Sequence, residues 1–198
     1  QQRPGGGWGN NHLILLAQNY KGYKNLMKLV TAGYLEGFYY RPRIDIELLQ
    51  DYSEGLICLS GCLKGEVPEK MLKGDYEGAR KSAILFSEIF PDRYFLEIQN
   101  HGIPEEEANI VNMKKLSSDL NLPLVCTNDA HYAKKNHWEA HDIHICLGTG
   151  KERSDPKRLR YATPEFYFKS QDEMFRLFKE FPEAIENTRR IADSIDLS

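Results

Sequence analysis

The sequence predicts an α/β fold built on a parallel sheet or barrel, and three observations carry that reading. Short apolar runs recur without polar alternation, as strands covered on both faces require. Stretches with apolar residues near the helical period separate the runs. The composition, 41% hydrophobic and 28% charged over 198 residues, suits one globular domain of ordinary size or a large piece of a bigger one.

The elements follow in order. Gln1 to Asn11 is polar and Gly-rich and reads as a loop or boundary segment. It lacks the Lys-Ser/Thr of a phosphate-binding loop, so its glycines carry no nucleotide signal. His12 to Ala17 is the first apolar run, read as a strand buried on both faces. Tyr23 to Leu35 places Leu26, Leu29, Val30 and Tyr34 close to helical spacing. Ile44 to Tyr52 is a short helix and Gly55 to Ser60 the second strand. Pro68 to Phe90 is helical with a break near Gly74, and Tyr94 to Ile98 is the third strand. Pro104 to Leu120 is a helix opened by proline and by Glu105, Glu106 and Glu107, which suit its N-terminal dipole. Leu124 to Thr127 is the fourth strand and His137 to Leu147 a helix. A loop with Asp155-Pro156 leads to an extended Phe166-Tyr167-Phe168, and helices Gln171 to Phe181 and Pro182 to Ile195 follow. Strands alternating with helices pair in parallel through right-handed crossovers. Four strands fall short of a closed barrel, so the opening strands of the domain are expected to lie outside the sequence.

Composition excludes several function classes. A net charge of −3 and a pI near 6.1 argue against nucleic-acid binding by bulk charge. The basic clusters Arg41/Arg43, Lys134/Lys135 and Lys157/Arg158/Arg160 read first as solvated surface, with phosphate contact the minority reading. Cys58, Cys62, Cys126 and Cys146 form no CxxC pair, and three lie in apolar runs where reduced cysteine acts as a small hydrophobe. No apolar stretch approaches the roughly 20 residues that span a bilayer. Together these predict a cytoplasmic protein without a disulfide framework.

The pair with most chemical content is Asp129-Ala130-His131, just past the fourth strand. Side chains alternate along a strand, so residues two apart share a face, and the C-terminal ends of parallel strands are where α/β enzymes gather their chemistry. Cys62 follows the second strand. If the extended path continues, Cys58, Ser60 and Cys62 share a face, and a thiolate at Cys62 suits zinc or another thiophilic ion. His12 opens its strand, which in a parallel sheet would turn it away from that end. Glu97, Asn100 and His101 flank the end of the third strand, as a polar mouth or as hydrogen-bonded loop residues. His137-Trp138-Glu139-Ala140-His141 resembles a zinc-protease helix, but its glutamate comes one residue late, about 100° further round. With His144, these histidines read as solvent or packing residues. No G-x-S-x-G or G-x-G-x-x-G occurs and Ser60 has no evident base, so acyl transfer gains little support.

Several ordered segments then resemble a known family. Tyr34-Leu35-Glu36-Gly37-Phe38-Tyr39, Pro42-Arg43-Ile44-Asp45, Leu59-Ser60-Gly61-Cys62-Leu63, Phe95-Leu96-Glu97-Ile98-Gln99-Asn100-His101-Gly102 and Thr127-Asn128-Asp129-Ala130-His131-Tyr132 are similar to the polymerase-and-histidinol-phosphatase (PHP) domain of the bacterial DNA polymerase III alpha subunit. Glu183 to Thr188 with Ile191-Ala192 is similar to the helix leading from that domain to the polymerase core. The resemblance implies a partial, distorted (β/α)7 barrel lacking its N-terminal strands, with a metal cluster at one end. It implies boundaries as well: 1–11 a loop or boundary, 12–170 the C-terminal part of the PHP domain, 171–198 helices leading toward the core.

The resemblance also implies roles. His12, Cys62, Asp129 and His131 match family ligands for divalent metal (zinc, manganese or magnesium). It overrides the geometric objection to His12. The family's remaining ligands find no match in residues 1–11, which implies an incomplete site, with Cys62 reaching the Asp129–His131 ion from a neighbouring strand. No catalytic residue for polymerisation is expected here, because the family places those carboxylates in a palm domain elsewhere. The implied function is part of a DNA-directed DNA polymerase, inactive by itself, in which the domain is a metal-binding structural module and an intact site supplies 3′–5′ exonuclease activity. Implied partners are DNA through the whole polymerase and other replisome subunits, including a proofreading exonuclease, with no membrane. The alternatives are a stand-alone PHP phosphoesterase and a non-catalytic docking module.

Overall fold

The computed structural model describes residues 10–197; residues 1–9 of the predicted opening loop lie outside the described residues, while Asn10 and Asn11 have no regular structure. The chain runs β1 (Ile14–Ala17), α1 (Tyr20–Leu35), α2 (Ile46–Asp51), β2 (Leu56–Leu59), α3 (Glu66–Leu72), α4 (Tyr76–Ile89), β3 (Tyr94–Ile98), α5 (Pro104–Leu120) and β4 (Leu124–Cys126). A 3-10 turn at Lys135–His137 then leads into α6 (Trp138–Thr149), followed by α7 (Gln171–Leu177) and α8 (Pro182–Asp193). The result is a mixed α/β architecture around a four-stranded sheet ordered β1-β2-β3-β4.

Parallel pairing holds for β2 with β3 and β3 with β4, but β1 runs antiparallel to β2, with Ile14 opposite Leu59 and Ala17 opposite Leu56. This corrects the uniformly parallel expectation, and the cause is the connection. A single crossover helix carries the chain back along the strand it leaves. Here α1 runs out, and the segment through α2 returns to the start of α1. Gln18 N donates to Gly55 O at 2.8 Å, and Asn25 Nδ2 donates to Glu54 O at 2.9 Å. The start of β2 is thereby fixed beside the end of β1. As an edge strand β1 is only partly covered, with Ile14 39% exposed, against the expectation of burial on both faces. Of the residues that set the period of α1, Leu29 is buried and Leu26 packs on the core, whereas Val30 and Tyr34 face outward.

Strands β2, β3 and β4 are buried throughout, as continuous apolar runs predict. Leu56, Cys58, Leu96, Ile98, Leu124 and Cys126 join Val67, Met71, Ala83, Phe86 and Met113 in the main core under the helices. The alternate residues Ile57, Leu59, Phe95 and Val125 form a smaller cluster with Ile191. The predicted helix break is real. Gly74 takes φ +75° between α3 and α4, and Asp75 caps α4 by accepting from Gly78 N at 2.9 Å.

Helix α8 lies against β4: Asn187 Nδ2 donates to Leu124 O at 2.8 Å, with Ala184 and Ile185 in the main core. Ile195, beyond its end, is 38% exposed. The four cysteines are free, with Cys58, Cys126 and Cys146 buried. Burial pushes the Cys126 thiol up to about 11, consistent with an apolar rather than reactive role. Among the described residues no helix is long and apolar enough to cross a membrane.

Candidate metal centre

The antiparallel β1 resolves the objection to His12. Its start lies beside the end of β2, so His12 sits at the C-terminal rim of the parallel strands. His12 N donates to Lys64 O at 3.0 Å, and its Nδ1 lies 3.5 Å from Cys62 Sγ. Cys62 reaches this place because the extended path stops. Gly61 takes φ +82°, and a Cβ there would come within 2.8 Å of His12 O, so only glycine fits the turn. The shared face expected for Cys58, Ser60 and Cys62 therefore ends at Ser60. Cys58 is in the core, while Cys62 is partly exposed.

At the end of β4, Asp129 Oδ1 lies 3.1 Å from His131 Nε2, both side chains partly exposed. The extended Phe166–Phe168 stretch holds this loop. His131 N donates to Phe166 O at 2.8 Å, Phe168 N to Tyr132 O at 2.9 Å, and Asn128 Nδ2 to Tyr167 O at 2.9 Å. The His131 ring packs among Tyr161, Phe166 and His141, with the Tyr161 hydroxyl 3.1 Å from each ring nitrogen. His141 thus belongs to the packed set, and burial, then the neighbouring His131 and His144, lower its pKa. His137 and His144 are exposed.

The structure brings the four expected ligands together as two pairs, His12 with Cys62 and Asp129 with His131. Strand β3 lies between β2 and β4, so Cys62 does not stand on a strand next to the Asp129–His131 loop. Its nearby partner is His12. The bridge between the loops is Glu97, buried on β3. Its Oε2 accepts from Gly61 N at 3.1 Å, and its Oε1 accepts from Gln99 Nε2 at 3.0 Å and from the Thr127 hydroxyl. Burial raises the Glu97 pKa, partly offset by these donors. Glu97 and His101 are therefore hydrogen-bonded buried groups and not the lining of an open mouth. Asn100 Oδ1 accepts from Gly102 N at 3.0 Å, also the loop reading.

Sequence reasoning missed Glu106, Tyr161 and Lys169. Glu106 read as a dipole residue, yet it accepts from His101 N at 2.6 Å and lies 2.8 Å from His101 Nδ1. A signal existed: a glutamate three residues past a helix N-cap reaches back to the preceding chain. Lys169, buried over the Tyr167 ring, contacts Asn128 Oδ1 at 3.4 Å, and burial lowers its pKa.

Of the basic clusters, Arg158 is committed to Asp142 through two bonds, Nη1–Oδ1 at 2.5 Å and Nη2–Oδ2 at 2.8 Å. The Arg158 bond holds the Asp142 pKa below the usual carboxylate range. A depressed folded pKa stabilises above the unfolded value and is lost as pH falls through the folded one. The gap in melting temperature between the wild type and Asp142→Asn is thus expected to be widest near neutrality and to close below about pH 4. Melts across that range check it; a gap constant with pH would dissociate the stabilisation from the charge.

As metal ligands the donor types fit. Thiolate with imidazole suits zinc, and carboxylate with imidazole suits zinc or manganese. The donor number is short, because among the described residues no group of three or more His, Cys, Asp or Glu side chains is assembled.

Comparison with known proteins supplies the context. Residues 5–101 match the PHP domain family. The chain is 49% identical over 185 residues to the DNA polymerase III subunit alpha of Borreliella burgdorferi, covering 93% of this chain and 16% of that protein. It is 48% identical to the protein of the same name from Treponema pallidum over 91% of this chain, and 43% identical to that of Campylobacter jejuni over 94%. In each case it spans 16% of the relative's length.

Proposed function

We propose that this chain, a PHP-domain segment similar to part of DNA polymerase III subunit alpha, serves a replicative DNA polymerase as a metal-binding module. The observation that carries the reading is the placement of two ligand-type pairs at one rim of the sheet, His12 with Cys62 and Asp129 with His131. The loops that carry Cys62 and the Asp129–His131 pair are tied from below by Glu97, which accepts from Gly61 N and from the Thr127 hydroxyl.

A divalent ion held there would supply Lewis-acid polarisation of a phosphoryl oxygen and an acidified water, the chemistry of phosphodiester hydrolysis from a 3′ end. The chain's own residues do the positioning. Asp129 orients His131, Tyr161 confines its ring, and the Gly61 turn presents Cys62 to His12. Residues 12–170 are then the PHP part and 171–198 the passage toward a polymerase core that holds the extension chemistry. DNA reached through that core, other replisome subunits and a proofreading exonuclease are the proposed partners, in the cytoplasm.

A second reading, a docking module without metal, is favoured by one observation: no three-donor group forms among the described residues. The full-length protein carrying this segment separates the two. Metal-bearing protein, with 3′–5′ hydrolysis abolished by a chelator and restored by Mn2+, is expected. Metal-free protein competent only in extension would favour the docking module.

A further inference from the structure

Beneath the Asp129–His131 loop lies a buried polar chain that the proposed chemistry does not use. The side chains of His101 and Glu106 are 1% and 5% exposed. Asp129 N lies 3.2 Å from His101 Nε2, and His101 Nδ1 lies 2.8 Å from Glu106 Oε1. The protons on this chain can be assigned from the partners alone. A backbone N–H can only donate, so Nε2 is an acceptor and bears no proton. The ring proton is then on Nδ1 and is donated to Glu106. Glu106 Oε2 also accepts from His101 N at 2.6 Å, so both carboxylate oxygens receive a donor.

The imidazole is fixed in a second way. It stacks on Phe166 with centroids 4.4 Å apart and planes 3° from parallel, and Phe166 meets the His131 ring edge-on at 5.9 Å. One buried ring thus touches the ligand loop through the Asp129 backbone and through the aromatic wall of His131. Burying a carboxylate and an imidazole is costly, and an apolar pair of like volume would fill the space with less desolvation. What an apolar pair cannot supply is an acceptor aimed at the Asp129 amide.

We propose that His101, oriented by Glu106, is a positioning residue that fixes the Asp129 backbone and with it the presentation of the Asp129–His131 pair to a metal ion. The role rests on the metal-binding reading above. It belongs to the outer partners of a metal site, which commonly set affinity by about 10–100-fold.

The test uses Mn2+ alone as probe, titrated calorimetrically into the full-length protein, with melting temperatures recorded beside it. His101→Phe fills the space without an acceptor, whereas His101→Gln keeps an oxygen near the place of Nε2. Glu106→Gln keeps the volume but cannot accept both His101 donors. Mn2+ affinity is expected to fall about 10-fold or more in His101→Phe and Glu106→Gln, and to recover toward wild type in His101→Gln. Should His101→Phe fail to fold, Glu106→Gln against His101→Gln carries the comparison. Asp129→Ala separates the two readings. If it lowers affinity while folded His101→Phe and Glu106→Gln do not, the positioning role is overturned and the metal reading stands. If Asp129→Ala changes nothing, both fall. Equal loss of affinity in His101→Gln and His101→Phe, tracking melting temperature, would mark His101 as merely structural and overturn the proposal.

Discussion

Replacing Asp129 or His131 with alanine in the full-length protein is expected to lower bound metal by an order of magnitude or more, and PHP-site hydrolysis with it, while DNA extension persists. The reason is donor arithmetic. A divalent ion needs three or four donors in fixed geometry, and on the proposed reading the loop after β4 would contribute two, Asp129 and His131, whose Oδ1 and Nε2 lie 3.1 Å apart. Removing one leaves a monodentate loop that must still be ordered at entropic cost. Asp129→Ala is otherwise benign, and His131→Ala loses only the ring contacts with Tyr161, Phe166 and His141, because both side chains are partly exposed and outside the core clusters. The loop backbone is also held by Phe166 and Phe168, which bond His131 N and Tyr132 O. Metal content by mass spectrometry, with extension and hydrolysis assays on matched proteins, checks this. Unchanged metal and unchanged hydrolysis after both substitutions would remove these residues from any site.

That Asp129 and His131 face one another was legible from their spacing, because period-two alternation beyond a strand needs no tertiary knowledge; their metal role was implied only by the resemblance. The partnership of His12 with Cys62 was not. A short apolar run specifies a strand but carries no direction. Whether β1 runs with or against β2 depends on how far the intervening helices travel, and residue spacing does not encode that distance. Reading β1 as parallel placed His12 at the wrong end of the sheet, whereas its antiparallel pairing with β2 sets it beside Cys62. Periodicity likewise stopped short at Glu97 and His101. Both read as polar residues near a strand end, and only the stacking of β2, β3 and β4 shows that Glu97 spans two loops and that His101 points under a third. Elements with strong local signals came through closely. Tyr94–Ile98 and Pro104–Leu120 match their sequence bounds, because a largely apolar run and an N-terminal proline are local facts.

The start of α1 is where local signal misled, and it gives the second large effect. The apolar spacing from Leu26 onward placed the start of the predicted helix at Tyr23. The structure begins it at Tyr20, with the Asn19 side chain accepting from Gly22 N at 2.9 Å. Propensity alone says Gly22→Ala should stabilise the helix by about 1 kcal/mol. Contact says otherwise. A Cβ at Gly22 would lie 1.7 Å from Gly55 O and 2.4 Å from Gly55 C, both backbone atoms. Gly55 cannot yield by rotating a side chain, since it sits at φ +70° and its oxygen is bonded to Gln18 N. Relief requires moving α1 off β2, which loosens the Asn19 cap and the Asn25–Glu54 bond together. Overpacking of this kind costs roughly 1–3 kcal/mol, and a lost cap about 1 more. Gly22→Ala is therefore expected to destabilise by about 1–3 kcal/mol after the propensity gain. Two other glycines serve as controls. Gly74→Ala meets nothing within 4 Å but must hold φ +75°, so strain of about 1 kcal/mol is expected. Gly148, inside α6 with open space around it, should gain up to about 1 kcal/mol as alanine. Urea melts of the three variants test the order. A Gly22→Ala protein as stable as the wild type would mean that α1 is not seated against the start of β2, and the antiparallel placement of β1 would lose its anchor.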